Sequence, residues 1–244
     1  MSKKNNNNSE EENFQNLSEE WWKINGKFEI LHKITPLRIK YILNNLELPL
    51  KAISKKNKLK GRDILDLGCG GGLVCEPLAK LGANVTGVDF IKNNIVSAET
   101  HSKKTNLKIR YLNESLVNFQ TNKKYDLILM LEIIEHIDDW KEMISKYIRY
   151  LKPNGKIIFS TINRTMLSKI FAIFLAEEIL KWIPKKTHSF DKLIKPGELQ
   201  IFLKKNDMKV IDTTGLFFNP FQNEWTLNKN RIEINYFCTA KLAN

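Results

Sequence analysis

The sequence predicts an α/β fold built on a mostly parallel, doubly wound sheet. A short apolar strand at residues 63–67 runs directly into a glycine-rich turn at Gly68–Gly72. Glycine has no Cβ, so the backbone of such a turn can bend tightly and come close to a ligand. Beyond the turn, strand-like segments alternate with helical patterns, which is typical of parallel sheets with helical crossovers. The 244 residues suffice for one such core.

The N-terminal region divides into a polar tail and a helical segment. Residues 1–13 are rich in Asn, Ser, Lys and Glu, which predicts a disordered tail ahead of a single domain at 14–244. Residues 14–50 follow a helical pattern and carry bulky side chains such as Trp21 and Trp22. We interpret this segment either as a helical lid over the ligand site or as a plain helical cap on the sheet.

The remaining strands and helices continue the alternation. Tyr125–Met130 is nearly all apolar, which indicates a central strand buried on both faces. The last two strands, Lys209–Leu216 and Ile232–Ala240, have no helix between them and are expected to pair antiparallel at the sheet edge. The other predicted elements are a helical pattern at Leu73–Leu81, strands at Asn84–Asp89, Leu107–Leu112 and Lys156–Ser160, and a helix at Asp138–Tyr150.

An apolar segment interrupts this alternation after the fifth strand. Within an insertion at 164–192, residues 165–186 give a very apolar helix with lysines scattered through and around it. One interpretation is an interfacial helix that enters lipid, with Trp182 and the lysines at the headgroup level. A buried core helix or a dimer contact is the alternative. We favour the membrane, because the segment lies outside the regular alternation.

Composition and charge restrict the function classes. The net charge of +12 would attract nucleic acid or an anionic membrane surface. The lysines are spread along the chain, however, and no RNA-binding motif accompanies them, so we expect no nucleic-acid partner. The three cysteines, Cys69, Cys75 and Cys238, lack metal-ligand spacing and indicate free thiols in a reducing compartment. No apolar run approaches the ~20 residues that span a bilayer.

The form of the glycine turn indicates which ligand it holds. A dehydrogenase would place Gly-x-Gly-x-x-Gly directly at the strand end, whereas here Asp66 stands two residues before Gly68. A carboxylate there would repel a pyrophosphate but suits a cofactor with a cationic amino-acid end. S-adenosylmethionine carries an ammonium, a sulfonium and an adenosine without a phosphate, so Asp66 and Asp89 suit its two ends. Asp89 follows the turn by about twenty residues, as expected of a carboxylate that binds ribose hydroxyls, although a helix cap is its other possible role.

Several motifs in the chain resemble those of known enzymes. Asp-x-Gly-x-Gly-x-Gly after the first strand is similar to the motif of the class I S-adenosylmethionine-dependent methyltransferases, whose fold is Rossmann-like. Further motifs resemble the ubiquinone-biosynthesis O-methyltransferase family over nearly the whole chain from residue 14. These motifs are Trp21-Trp22, Leu31–Arg38, Glu132–His136, Ser160–Arg164, Lys185–His188, Phe190–Pro196 and Thr214–Leu216.

The resemblance implies O-methylation at two points of ubiquinone biosynthesis, on a polyprenyl catechol precursor and on the late demethylubiquinol. It implies cofactor contacts at Arg38, Gly68, Asp89 and Leu131. It also implies that residues 165–186 face an anionic membrane, which would place the protein in the cytoplasm at the inner face of the bacterial cell membrane. Other enzymes of the same pathway are further candidate partners.

An acidic cluster follows the fourth strand. If a helical turn begins there, the spacing i, i+3 and i+4 puts Glu132, Glu135 and His136 on one face. The three side chains could then hold a divalent ion such as Mg²⁺, which would chelate the catechol oxygens and lower the phenol pKa. Alternatively, His136 is a general base without a metal, or Glu132 binds cofactor, Glu135 caps a turn and His136 packs. The resemblance implies a metal at this triplet.

The sequence thus predicts a single-domain S-adenosylmethionine-dependent O-methyltransferase, with Mg²⁺ as an open second cofactor. The alternatives are a methyltransferase of another small phenol without membrane contact, and a basic nucleic-acid-binding module. The predicted cofactor-binding residues are Arg38, Asp66, Gly68, Gly70, Asp89 and Leu131, the predicted catalytic residues are Glu135 and His136, and the predicted metal ligands are Glu132, Glu135 and His136.

Overall fold

The computed structural model describes residues 20–46, 57–168, 190–219 and 222–243, and within these ranges it shows one mixed sheet with helices on both faces. The strands are β1 (Asp63–Leu67), β2 (Asn84–Asp89), β3 (Arg110–Asn113), β4 (Tyr125–Leu131), β5 (Leu151–Ile162), β6 (Met208–Asn219), β7 (Glu224–Asn228) and β8 (Asn235–Leu242). The helices are α1 (Glu29–Asn45), α2 (Cys75–Lys80), α3 (Lys92–Lys104), α4 (Trp140–Ile148) and α5 (Pro196–Lys205), with 3₁₀ turns at Ile134–His136 and Phe190–Lys192.

The sheet has the order β3-β2-β1-β4-β5-β8-β6-β7. The first five of these strands are parallel, as the alternation of strands and helices predicted. The predicted antiparallel pair is confirmed, since β6 and β8 run antiparallel. β8 does not lie at the edge, however, because it also pairs antiparallel with β5. The edge strand is β7, which runs antiparallel to β6 and was not predicted from its five residues.

The predicted start of the fifth strand differs from the structure. β5 begins at Leu151, five residues before the predicted start, and therefore includes Pro153 and Gly155. Tyr125 pairs with Leu151 while Leu127 pairs with Lys156, so the residues between these pairs bulge out of the ladder. A bulge is one of the positions in a sheet that tolerates proline, since no ladder hydrogen bond is lost there.

Apolar side chains form a core on each face of the sheet. One core includes Met143 and Tyr147 from α4 with Leu199 and Leu203 from α5. The opposite core is covered by α1, α2 and α3, through residues such as Ile42, Leu78, Ile95 and Ala98. Successive residues of a strand point to opposite faces, and β4 supplies Leu127 and Leu129 to one core and Ile128 and Met130 to the other. The prediction of a central strand buried on both faces is therefore confirmed.

Several sequence predictions lie outside the described residues. The predicted tail at 1–13 lies entirely outside them, and the segment at 165–186 does so from residue 169 onwards. The predicted lid at 14–50 is described only over 20–46. In the described part of the chain, we find no helix with the length and apolar character needed to cross a membrane.

Candidate active site

The predicted site residues meet at one edge of the sheet. Asp66 lies near the end of β1, Asp89 ends β2, and Leu131 ends β4 with Glu132 directly after it. The carboxyl ends of parallel strands share one edge, and ligands of open α/β sheets bind there, where the strand order changes direction. That change occurs between β1 and β4, directly beside Asp66 and Glu132.

The glycine turn is closed by backbone contacts and has no room for larger residues at its first position. The amides of Gly68 and Cys69 donate to the carbonyl oxygen of Val88 at 2.7 and 3.1 Å. Gly68 has a φ of +66°, and a Cβ there would fall on the side chain of Ile133. Gly70 also has a positive φ, of +53°. The missing Cβ at Gly68 therefore makes room for Ile133, and contact of the turn with a ligand stays a prediction.

Asp89 is connected to both the glycine turn and the start of α3. Its Oδ2 accepts from the amide of Gly70 at 2.9 Å, and its Oδ1 accepts from the amide of Ile91 at 2.8 Å and from Asn94 at 3.3 Å. Burial raises the pKa of Asp89, and the bonds from Ile91 and Gly70 oppose that shift. Ile91 precedes α3 as its cap residue, so Asp89 is not the N-cap. Beside it, Phe90 is 70% exposed and offers an apolar face to a ligand.

Arg38 and Asp66 form an oppositely charged buried pair at the same edge. Burial lowers the pKa of Arg38, and the carboxylates of Glu132, Asp66 and Glu135 oppose that shift. The Nε atom of Arg38 is buried and has no hydrogen-bond partner among the described residues. A buried guanidinium without its full set of acceptors fits a ligand carboxylate.

Asp66 provides the complementary half of this pair. It is 3% exposed, and burial raises its pKa to about 6. The Cys75 thiol donates to Asp66 Oδ2 at 3.2 Å, so Oδ1 is left for a cation. With Arg38 for a carboxylate and Asp66 for an ammonium, the residues fit the amino-acid end of S-adenosylmethionine.

Glu132 is held in place from three directions. It has a φ of +57°, in the left-handed region, and its amide donates to the carbonyl oxygen of Ser160 at 2.9 Å. Its Oε1 accepts from the Ser160 hydroxyl at 2.7 Å and from Asn235 Nδ2 at 2.9 Å. Arg38 lies 3.8 Å from the same oxygen. Ser160, which the sequence showed only as part of a family motif, is thus a contact of Glu132, and Asn235 is a second one that the sequence did not single out.

Glu135 lies beside Glu132 and is almost completely buried. Burial and the neighbouring Glu132 carboxylate raise the pKa of Glu135 well above its usual range. Its Oε2 has no hydrogen-bond partner in the described part of the chain. Burial and the neighbouring carboxylate therefore both disfavour the charged form of Glu135. His136 follows on the same 3₁₀ turn and is half-buried.

The predicted metal triplet is not assembled in this structure. Across the described ranges, no three His, Cys, Asp or Glu side chains are arranged to hold a metal ion. The prediction assumed an α-helical turn from Glu132, but the turn is 3₁₀ and begins at Ile134, after Glu132 has already adopted its left-handed conformation. The spacing i, i+3 and i+4 therefore does not put Glu132, Glu135 and His136 on one face. The metal role itself stays a prediction.

Comparison with known proteins identifies the family. A family model described as a methyltransferase domain matches residues 40–213. The ubiquinone biosynthesis O-methyltransferase of Rickettsia felis is 40% identical over 234 residues, which is 96% of this chain and 93% of the relative. The enzyme of the same name from Pelagibacter ubique is 43% identical over 225 residues, 92% of this chain and 93% of the relative.

Solved structures show the same fold at lower identity. The magnesium protoporphyrin IX methyltransferase from Synechocystis PCC 6803 with bound SAH has a TM-score of 0.60 and 17% identity, over 87% of this chain and 83% of that one. An S-adenosylmethionine-dependent methyltransferase from Clostridium acetobutylicum has a TM-score of 0.59 and 17% identity, over 87% of this chain and 92% of that one. The fold class is thereby confirmed as that of the class I methyltransferases. Together with the close relatives, this shows that the chain belongs to the ubiquinone biosynthesis O-methyltransferases, a family of S-adenosylmethionine-dependent enzymes.

Proposed function

We propose that this chain transfers a methyl group from S-adenosylmethionine to a catechol oxygen of polyprenylated ubiquinone precursors, at both O-methylation steps of the pathway. The observation that carries the proposal is the buried Arg38–Asp66 pair beside the glycine turn, next to two carboxyl groups at the carboxyl ends of the strands. Family membership supports the pathway, and the pair supports the cofactor. It gives no support to the alternative of a nucleic-acid-binding module.

Different residues of the site would bind different parts of the cofactor. S-adenosylmethionine supplies an electrophilic methyl group when bound. Arg38 and Asp66 would hold the amino-acid end, Asp89 the ribose, and the glycine turn the backbone face of the cofactor. An in-line transfer then needs alignment, exclusion of water and a deprotonated oxygen nucleophile. The chain's contribution is therefore to position the two substrates and to remove one proton.

We assign the proton-accepting role to His136 rather than to Glu135. Glu135 is 2% exposed and its pKa is raised by burial and by the Glu132 carboxylate, so we assign it a hydrogen-bonding role, whereas the half-buried His136 is more accessible to a substrate proton. Arg38, Ser160 and Asn235 all face Oε1 of Glu132 and hold its carboxyl group in position. A catechol bound beside these carboxyl groups would bring its two hydroxyl groups within hydrogen-bonding reach of them.

The direct test is methylation of a short-chain demethylubiquinol analogue by the purified chain. Transfer of radiolabelled methyl to the analogue is expected, and Asp89→Ala should raise the Kd for the cofactor. His136→Gln should lower kcat and remove the acidic limb of the pH–rate profile, because a general base acts only when deprotonated, while cofactor affinity stays within twofold. Methylation of a simple phenol at the same rate as the quinol analogue would instead favour the rival enzyme of small phenols.

Peripheral membrane attachment through residues 165–186 is a separate proposal, supported by the apolar sequence with its flanking lysines. Flotation with anionic liposomes should recover the unaltered chain, and Phe171→Glu with Phe174→Glu should abolish recovery. Val117→Glu with Ile201→Glu is the matched control, because both side chains are exposed elsewhere on the surface and the charge change is equal. Absence of the unaltered chain from the liposome fraction would contradict membrane attachment.

A divalent metal near Glu132 and Glu135 is also proposed, supported by the closeness of two carboxyl groups. Methylation of a soluble catechol would be measured before and after treatment with EDTA, and again after Mg²⁺ is added back. Loss and recovery of the rate are expected. An unchanged rate after chelation would remove the metal from the mechanism and leave the proton transfer to His136.

A further inference from the structure

The segment before α1 packs directly on the glycine turn. The indole ring of Trp21 lies across Gly70 and Gly71, because a Cβ on Gly70 would be 2.6 Å from Trp21 Cη2 and one on Gly71 would clash with Trp21 Cγ and Cδ2. The ring is held flat by Phe28, which stacks on it at 3.9 Å. His32 Nε2 contacts the carbonyl oxygen of Trp21 at 2.8 Å and joins the segment to α1.

Hydrogen bonds connect Trp21 to the predicted ribose-binding carboxylate. Trp21 Nε1 donates to Asn94 Oδ1 at 3.0 Å, and Asn94 Nδ2 donates to Asp89 Oδ1 at 3.3 Å. Asp89 Oδ2 in turn accepts from the Gly70 amide at 2.9 Å. These contacts form a closed loop, because Gly70 also lies against the Trp21 ring. Asn94 is the one described side chain that bonds to both Trp21 and Asp89.

A second tryptophan docks on the same face of α3. Trp22 stacks on His101 with ring centroids 3.4 Å apart and planes at 5°. His101 Nδ1 is 2.6 Å from Oε1 of Glu76, which is fully buried in α2. Asn94 and His101 are seven residues apart, which is two helical turns and hence one face. Trp21 and Trp22 thus contact Asn94 and His101, two polar side chains on one face of α3.

We propose that Trp21 and Asn94 are positioning residues for the methyl donor, which hold Asp89 and the glycine turn in the cofactor-binding geometry. The proposal rests on S-adenosylmethionine binding at this turn and deepens it, because it makes the cofactor site complete only when residues 20–28 are docked. Docking of this segment and cofactor binding then favour each other, since such coupling is reciprocal. The N-terminal segment is accordingly a part of the cofactor site rather than a cap on the sheet.

Two variants test these hydrogen bonds, one that removes both and one that removes only the bond from Trp21. Asn94→Leu removes both bonds at similar volume and should weaken S-adenosylhomocysteine binding about tenfold, because the lost bond to Asp89 involves a charged group. Trp21→Phe keeps an aromatic ring and loses only the donor, so about fivefold weaker binding is expected. Isothermal titration calorimetry gives Kd, and kcat at saturating cofactor should stay within twofold. A general loss of fold stability would not weaken cofactor binding while kcat at saturating cofactor is retained.

A double-mutant cycle tests the packing. Gly71→Ala should weaken cofactor binding in the unaltered chain, because its Cβ meets the Trp21 ring, and should change it less than twofold when Trp21 is already Ala. Trp140→Phe is the control, since Trp140 packs on Phe202 against the other core and should leave the Kd unchanged.

The outcomes separate this proposal from the function on which it rests. An unaltered chain that does not bind S-adenosylhomocysteine overturns both. Normal binding that stays within twofold in Asn94→Leu and Trp21→Phe, or an equal penalty for Gly71→Ala in both backgrounds, overturns only the positioning role. Trp21→Phe replaces the two-ring indole by a single aromatic ring. It therefore still tests the positioning role if the Asn94→Leu variant fails to fold.

Discussion

At the scale of single residues, the fold determines both the backbone conformation and the side-chain orientation of Glu132. A left-handed conformation costs a residue with a Cβ about 1–2 kcal/mol, and Glu132 adopts it at the end of β4. Its amide still bonds to Ser160, so the ladder between β4 and β5 continues while the side chain turns toward β8. The strain is therefore offset by the hydrogen bonds that fix the carboxylate.

Replacement of Asn235 tests whether this orientation matters for the reaction. Asn235→Leu removes one donor to a charged acceptor, a bond that contributes about 1.5–3 kcal/mol. We expect kcat to fall by about 10–100-fold with a soluble catechol, while the Kd for S-adenosylhomocysteine changes less than twofold. Asn230→Leu, in an exposed position before β8, is the matched control. Unchanged kcat in Asn235→Leu would show that Ser160 and Arg38 suffice to hold Glu132.

The raised pKa of Asp66 predicts how both protein stability and cofactor affinity change with pH. Burial raises its pKa from 3.8 to about 6, so between these values the folded chain binds more protons than the unfolded chain. Its contribution to stability is thus present below about pH 4 and lost as the pH rises through 6. The proposed role of Asp66 as the partner of the cofactor ammonium requires its carboxylate, so the affinity for S-adenosylhomocysteine should increase from pH 5 to 7. Calorimetry across this range checks it, and a profile in Asp66→Asn as steep as that of the unaltered chain would contradict the assignment.

At the scale of elements, the β6–β8 pair decides how the site is completed. β8 brings Asn235 to Glu132, and β6 holds β8 in place through a long antiparallel ladder. Gly215 of β6 lies opposite Tyr236, and the connection from β7 to β8 passes directly over it. A Cβ at Gly215 would fall on the carbonyl oxygen of Arg231, which is backbone and has no rotamer to change.

Gly215→Ala should therefore destabilise the protein through overpacking, by about 1–3 kcal/mol. Gly197→Ala is the matched control, because nothing lies within 4 Å of a Cβ there and the residue is in the first turn of α5. In a helix this change should stabilise by up to about 1 kcal/mol. Urea denaturation measures both. Equal stability of the two variants would mean that the Arg231 connection moves away at no cost.

At the scale of the whole molecule, one sheet is buried between two cores and carries the site at its edge. The cofactor would contact the glycine turn after β1, Asp89 after β2 and Arg38 in α1, which are parts of the same core. A ligand that binds only the folded chain stabilises all of these elements together.

S-adenosylhomocysteine at 100 times its Kd should add about 2.7 kcal/mol to the free energy of unfolding. For a chain of this size, that raises Tm by roughly 5–10 °C. Thermal unfolding followed by circular dichroism measures the shift, and Asp89→Ala should reduce it by more than half at the same ligand concentration. A full shift in Asp89→Ala would remove this carboxylate from the cofactor site.

The sequence by itself determined the features that local pattern specifies. The parallel sheet, the turn at Gly68–Gly72 and the carboxylates Asp66 and Asp89 follow from strand periodicity and short spacings. The third strand and the fifth strand were misplaced by several residues, because element ends depend on contacts and not on pattern. β7 was missed, since five residues outside the alternation carry little signal.

Only the tertiary structure decided which distant residues complete the site. Asn235 is 103 residues from Glu132, and Trp21 is 73 from Asn94, so no local pattern connects them. The 3₁₀ turn after Glu132 also arises from long-range bonds to Ser160 and Asn235, which override the helical spacing on which the metal triplet was predicted. Local sequence fixes strands and turns through backbone preferences, whereas strand order and side-chain partners are set by packing across the whole sheet.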